Sequence, residues 1–213
     1  MILDLPVYET TLPVEKNNVE FSPLVVKEEK NIAIAKEAGS KSDSYGTFLK
    51  ILSKKFNLNP KKLSEPDLIH CIIELRKKSI SDEVIVNFKC PHTGAPIKIK
   101  INCNDIQLKG TSRSTKIQTD DYNIELCLPT FKSSTSSLIH SIETRTQTIK
   151  FETIPEEKRN EILESLPVML KNEIEKASSE LFHYSYDLKY SSDSDYTIPI
   201  RSAEDFFTLC FAM

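Results

Sequence analysis

The apolar residues of this chain change their period once, sharply, at Asp82. Before it, Leu68, Ile69, Ile72, Ile73 and Leu75 recur at the spacing of one helix face. After it, Val84, Val86 and Phe88 alternate with Ile85, Asn87 and Lys89. Ile97, Ile99, Ile101 and Cys103 then alternate with Lys98, Lys100 and Asn102. A stripe repeating every 3.6 residues covers a core as a helix, and strict alternation covers it as a strand. One core therefore has to accept both kinds of surface, which excludes an all-helical and an all-strand fold. The helix has clear ends: Ser64 can cap it, Glu65, Pro66 and Asp67 fill its first turn, and Arg76, Lys77 and Lys78 oppose the dipole in its last.

The flanks extend this pattern. Residues 6–12 and 18–22 read as two short strands around a turn beginning at Pro13. Lys27 to Ala38 reads as a helix stopped by Gly39. Ser42, Asp43 and Ser44 offer caps for a second helix with Phe48, Leu49, Leu52 and Phe56 on one face, closed by Pro60. The segment Cys90 to Pro96 has turn composition and predicts a hairpin between the alternating strands. A third alternating run, Tyr122, Ile124, Leu126 and Leu128, is expected in the same sheet. Residues 1–128 thus predict an α+β domain with an N-terminal hairpin, three helices and an antiparallel sheet. The Ser/Thr-rich stretch from Pro129 to Ser137 reads as a linker. Residues 129–213 predict a smaller mixed helix and strand region. It would hold a strand over Thr146–Glu152, a helix from Pro155 broken at Pro167 and resumed over Val168–Ser178, strands over Phe182–Tyr190 and Tyr196–Ile200, and an apolar end.

Composition narrows the function classes. The 213 residues carry a net charge of -3, with 4 glycines and no tryptophan. Glycine-cradled phosphate sites and binding of nucleic acid through overall charge are not expected. Residues 1–119 hold 19 Lys plus Arg against 14 Asp plus Glu, and residues 120–213 hold 9 against 17. Two differently solvated halves are the expected account of this split, and orientation of the protein within an assembly is the alternative. The lysine pairs at Lys54 and Lys61 and the basic run at Arg76 lack the interleaved aromatics of a stacking platform, so solvated helix ends are expected there. Cys71, Cys90, Cys103, Cys127 and Cys210 are odd in number and widely spaced, and the first residues lack an export pattern. No apolar run reaches the ~18 residues of a membrane span. A soluble protein of a reducing compartment with free thiols is expected.

Candidate chemistry is thin. Cys90 and His92 resemble half of a zinc knuckle, but a structural zinc site needs four ligands and a second close pair is missing. Cys103 falls at an inward strand position and reads as core. His70, His92, His140 and His183 each stand without a nucleophile motif. The pairs Glu28–Glu29 and Glu156–Glu157 sit in first helical turns, where they complement the dipole. No enzyme, cofactor, metal or small-molecule substrate is expected. At the C-terminus, Phe206, Phe207, Leu209, Phe211 and Met213 are too apolar for a frayed tail. They either pack back on the domain, the expected outcome, or anchor in a partner.

Several segments together resemble the baseplate hub and hub assembly protein family of T-even-type contractile-tailed phages. They are Leu5-Pro-Val-Tyr-Glu-Thr-Thr-Leu-Pro13, Phe21-Ser-Pro-Leu-Val-Val-Lys-Glu-Glu-Lys30 and the Ala33–Ala38 helix. Asp67 to Ser79, Phe88-Lys-Cys-Pro91 with Thr93-Gly94, and Ser202 to Phe207 continue the likeness. Val14-Glu-Lys-Asn-Asn18 stands where the family often has a tighter turn, and residues 129–200 add little. The resemblance implies a non-enzymatic protein that acts on other tail and baseplate hub proteins in the cytoplasm of an infected bacterium. It leaves open an assembly factor, the reading preferred here, or a structural subunit kept in the virion; a small nucleic-acid-binding accessory protein is more remote. It also points to Lys27, Glu28, Glu29 and Lys30, and to Phe206, Phe207, Leu209 and Phe211, as partner-binding residues.

Overall fold

The computed structural model describes residues 4–38, 41–128, 138–191 and 194–211. In chain order its elements begin with strands β1 (Tyr8–Thr11) and β2 (Asn18–Phe21), then helices α1 (Val26–Ala38), α2 (Lys41–Phe56) and α3 (Glu65–Ser79). Strands β3 (Glu83–Lys89), β4 (Pro96–Asn102), β5 (Leu108–Lys109), β6 (Ser114–Gln118), β7 (Tyr122–Cys127), β8 (Ile139–Thr144) and β9 (Thr148–Lys150) follow. Helices α4 (Glu156–Ser165) and α5 (Val168–Ser178), strands β10 (His183–Tyr184), β11 (Tyr186–Ser191) and β12 (Asp195–Ile200), and helix α6 (Ala203–Phe211) complete the chain. The fold is α+β.

Two compact units share these elements. Unit 1 comprises Met1–Leu108 and Tyr184–Met213, and unit 2 comprises Lys109–His183. This division differs from a cut at residue 128. The physical reason is strand pairing: β7 bonds to β6 before it and to β8 after it, forming a four-stranded antiparallel sheet in the order β6-β7-β8-β9. The run Tyr122 to Leu128 therefore does not join β3 and β4, contrary to expectation. The expected linker, residues 129–137, lies outside the described residues, as do the helix stop Gly39 and the terminal Met213. The charge split between the sequence halves also dissolves. Because the acidic C-terminal segment returns to unit 1, that unit holds 18 Lys plus Arg against 19 Asp plus Glu, and unit 2 holds 10 against 12.

Unit 1 is built around α3. Ser64 caps it as the sequence indicates, its Oγ accepting from the Asp67 backbone N–H. Leu68, Ile69, Cys71, Ile72, Ile73 and Leu75 are all buried, each large side chain contributing about 2 kcal/mol by leaving water. α6 packs along α3, and Glu65 at the start of α3 accepts a hydrogen bond from the Ala203 backbone N–H at 3.0 Å. α1 lies against α2, which starts at Lys41, so Ser42 to Ser44 fall inside its first turn instead of capping it. β1 and β2 form the N-terminal hairpin, and Phe21 stacks on Phe56 of α2 with ring centres 4.5 Å apart. Two further hairpins, β3–β4 and β11–β12, meet through an edge-on contact of Phe88 with Tyr190.

Two polar groups of α3 fasten the N-terminal hairpin. The fully buried Asp67 carboxylate accepts from the Val14 backbone N–H at 2.8 Å and from the Ser64 hydroxyl at 2.8 Å. One turn later, His70 Nε2 lies 2.8 Å from Thr10 Oγ1 and its Nδ1 lies 3.1 Å from the Tyr184 hydroxyl. The imidazole therefore joins β1, α3 and the returning C-terminal segment of unit 1. Burial holds its pKa below the ordinary 6.5 and raises that of the Tyr184 hydroxyl.

Unit 2 wraps helices on one sheet. Ile117, Ile124, Leu126, Ile139, Ile142, Phe151, Leu170 and Leu181 form its core, with Ile162, Leu163 and Leu166 half-buried against them. Pro167 does break the helical run between α4 and α5. Next to the sheet, Gly110 adopts φ +77, and a Cβ there would sit 2.1 Å from the Leu181 carbonyl oxygen. Beside it the backbone amides of Thr111 and Ser112 donate to the Glu180 carbonyl at 2.9 and 3.1 Å, a crossing only glycine admits. No helix among the described residues is long and apolar enough to cross a membrane, and all five cysteines are unbridged.

Two outcomes follow. Gly110→Ala will destabilise unit 2 by about 3 kcal/mol through overlap and positive-φ strain, read by urea unfolding with amide exchange in residues 109–183. An unchanged midpoint would contradict the close approach. For His70, the unfolded chain takes up a proton as pH falls through about 6.5 while the folded chain resists until lower pH, so stability drops on acidification. His70→Gln is therefore expected to have a smaller fall in melting temperature than wild type between pH 7.5 and 5.5. Parallel curves would mean that His70 carries no such linkage.

Candidate protein-protein interface

The charged block at the start of α1 has mostly local duties. Glu28 Oε2 accepts from the Val25 backbone N–H at 2.9 Å, the reciprocal half of a capping box, and from Lys55 Nζ of α2 at 2.8 Å. Its carboxylate thus both ends α1 and clamps α1 to α2. Lys27 and Lys30 are exposed. Glu29 is half-buried and faces a groove described below. The approach to α1 is fixed by the Leu24 backbone N–H donating to Ser79 Oγ at 2.9 Å, which sets the start of α1 beside the end of α3.

The apolar C-terminal residues are core. Phe206, Phe207, Leu209 and Phe211 are all buried on α6. Phe207 meets Phe48 at 4.7 Å and Tyr45 at 5.4 Å between ring centres, and Phe211 meets Phe48 at 4.9 Å. An aromatic cluster of this kind contributes packing beyond its buried area. Of the two outcomes the sequence left open, packing back is the one the structure takes. Partner contact through these four side chains was expected from their place in the family pattern and from exposure; the folded chain buries all four, which removes the exposure argument.

The other residues weighed for chemistry are dispersed. Cys90 is buried at the tip of the β3–β4 hairpin, whose turn closes by bonds of Cys90 N–H to Ala95 and of Gly94 N–H to Cys90. His92 stacks on Tyr196 with ring centres 4.5 Å apart. Among the described residues no three His, Cys, Asp or Glu side chains converge where they could hold a metal ion. Cys103, expected inward, is buried and shares a hydrogen bond with Cys210 of α6. That bond lowers the pKa of the Cys103 thiol and raises that of Cys210.

What the structure brings together instead is a groove in unit 1 of about 420 Å³, within the ~300–1,000 Å³ common for binding pockets. Its walls are the end of α3, the first turn of α1 and the strand β3. Arg76, Ile80, Ser81, Ile85 and Asn87 line it together with Glu29, Glu83, Val84 and Cys210. Ile80 and Ile85 are 43% and 48% exposed there. Arg76 is only 9% exposed. Its Nη2 donates to the Glu83 backbone carbonyl at 3.0 Å, its Nε is buried with no partner, and no described carboxylate forms an ion pair with it. Glu83 itself pairs with Lys100 across the hairpin at 2.6 Å. A signal for Arg76 was present in the sequence. It stands four residues after Ile72 and three after Ile73, continuing the apolar stripe of α3 rather than its polar side.

The comparison with known proteins takes in both units. A family model described as T4 bacteriophage base plate protein matches residues 5–208. No curated protein and no solved structure matches the chain. The family match covers the N-terminal hairpin, the α3 core, the inserted sheet of unit 2 and most of α6. The chain belongs to the T4 bacteriophage base plate protein family.

Proposed function

We propose that this protein is an assembly factor of the baseplate hub. It binds other hub and tail polypeptides in the cytoplasm of the infected bacterium, holds them while the hub forms, and makes no covalent change. The observation that carries this reading is the membership of residues 5–208 in a phage base plate protein family. The side chains support it. Tyr45, Tyr184 and Cys71 are raised by burial in the core of unit 1, which suits packing rather than proton transfer.

Two measurements test it. Deleting the gene is expected to leave phage without complete hubs, while quantitative mass spectrometry of purified wild-type particles finds the protein far below one copy per hub subunit. Stoichiometric copies in mature virions would overturn the assembly-factor reading in favour of a retained structural subunit. Normal hubs after deletion would overturn both.

A further inference from the structure

The β3–β4 ladder fixes which way each backbone group of β3 points. Two hydrogen bonds bracket it: Cys103 N–H to the Asp82 carbonyl at 2.7 Å and Cys90 N–H to the Ala95 carbonyl at 2.8 Å. Both belong to the register that pairs Val84 with Ile101 and Val86 with Ile99. In an antiparallel ladder bonded and non-bonded pairs alternate, so Val84, Val86 and Phe88 bond to β4. Glu83, Ile85, Asn87 and Lys89 turn their N–H and C=O groups to the opposite side. Pro96, which has no N–H to give, stands opposite Lys89 at a non-bonded position, as this phase requires. On the side away from β4, β3 pairs with no described strand.

The two edges of the hairpin are not equally protected. Along β4 the outward positions are Pro96, Lys98, Lys100 and Asn102, the proline and lysines that block strand addition. Along β3 the middle outward positions are Ile85 and Asn87, and they open onto the groove. At the Glu83 end the edge is already capped: Arg76 Nη2 donates to the Glu83 carbonyl, and Ser81 Oγ accepts from the Glu83 N–H at 3.0 Å, which leaves Ile85 and Asn87 as the open positions. The Arg76 Nε remains buried and unpartnered, and a buried guanidinium without a counter-charge is costly. The edge thus presents free main-chain donors and acceptors, two exposed isoleucines and one cation lacking an anion.

We infer that the β3 edge is a docking site for an extended acidic segment of another baseplate polypeptide. The segment adds as a strand beside β3, bonding to the main chain of Ile85 and Asn87. It sets an Asp or Glu carboxylate on Arg76 and lays apolar side chains on Ile80 and Ile85. The carboxylate supplies the acceptor that Nε lacks and turns the guanidinium contact into a charge-assisted one. Of the original charged block, Glu29 alone borders this site, and as a like charge facing the segment it restricts where along the strand the acid can lie. The inference rests on the protein being a builder of the hub, because it names the surface through which the building contact is made.

The test uses the full chain and an array of overlapping fifteen-residue peptides covering the baseplate proteins of the same phage. Peptides that bind are expected to alternate apolar and polar residues around an Asp or Glu, and to lose at least tenfold in affinity when that acid becomes Asn or Gln. Arg76→Gln should reproduce the tenfold loss. Asn87→Pro removes a main-chain donor that faces away from β4, so it should leave the melting temperature within a few degrees of wild type and abolish binding. Binding that survives Asn87→Pro in the folded protein would overturn strand addition, and binding indifferent to the acid would overturn the role of Arg76. Self-association that is lost with Asn87→Pro, with no peptide bound, would assign the edge to a second copy and also overturn the proposal. In phage, Asn87→Pro that assembles hubs normally while the gene deletion does not would sink this inference and leave the assembly function standing.

Discussion

Two buried charges at opposite ends of α3 govern unit 1. At its first turn, the Asp67 carboxylate is fully buried and satisfied from within the chain by Val14 and Ser64. The Val14 bond seats the N-terminal hairpin on α3 while the Ser64 bond orients the carboxylate from the cap of the helix, and removing the acid would leave the Val14 N–H buried and unbonded at a cost of about 2 kcal/mol. In its last turn, Arg76 is 9% exposed and only half satisfied. Buried polar groups in folded chains are almost always paired. A chain that solves this problem completely at one end of a helix and incompletely at the other has left a place for something else.

The rest of unit 1 makes that place rigid. α6 packs along α3, and its Phe206, Phe207, Leu209 and Phe211 fill the core beside Phe48 and Tyr45. Glu28 clamps α1 to α2 through Lys55, and Ser79 fixes the entry to α1. The groove walls therefore come from elements each anchored elsewhere, and an incoming strand would meet a formed edge rather than one it must order. That keeps the entropic cost of docking low. It suits the proposed assembly role, in which other subunits are engaged and released.

Local signals in the sequence were reliable guides. Ser64 and the apolar stripe named α3 because capping and periodicity act within one element. The alternation from Val84 named the β3–β4 hairpin because its strands are neighbours joined by a turn. Apart from the start of α2, where Ser42 to Ser44 lie inside the helix instead of capping it, the failures were failures of pairing at a distance. β6 carries one deeply buried residue, Ile117, so its sequence STKIQ gives little alternation, and β7 could not be assigned its true neighbours. Nothing local tells Phe207 that it will meet Phe48, or Cys210 that it will meet Cys103. So the apolar end was expected to pack back, as it does, without the sequence naming what it would meet, and a cut at residue 128 overlooked an inserted unit. Arg76 was read as a dipole partner from its place in the last turn, although its position on the apolar stripe already marked it as buried.

The β3 edge should be open in the free protein and filled during hub assembly. Amide hydrogen exchange resolves this residue by residue, because the ladder protects Val84, Val86 and Phe88 in either state. In the isolated protein Ile85 and Asn87 should exchange quickly. In hub intermediates isolated from infected cells the same two amides should slow by at least tenfold while their neighbours stay unchanged. Equal rates at Ile85 and Asn87 in the two states would contradict the account.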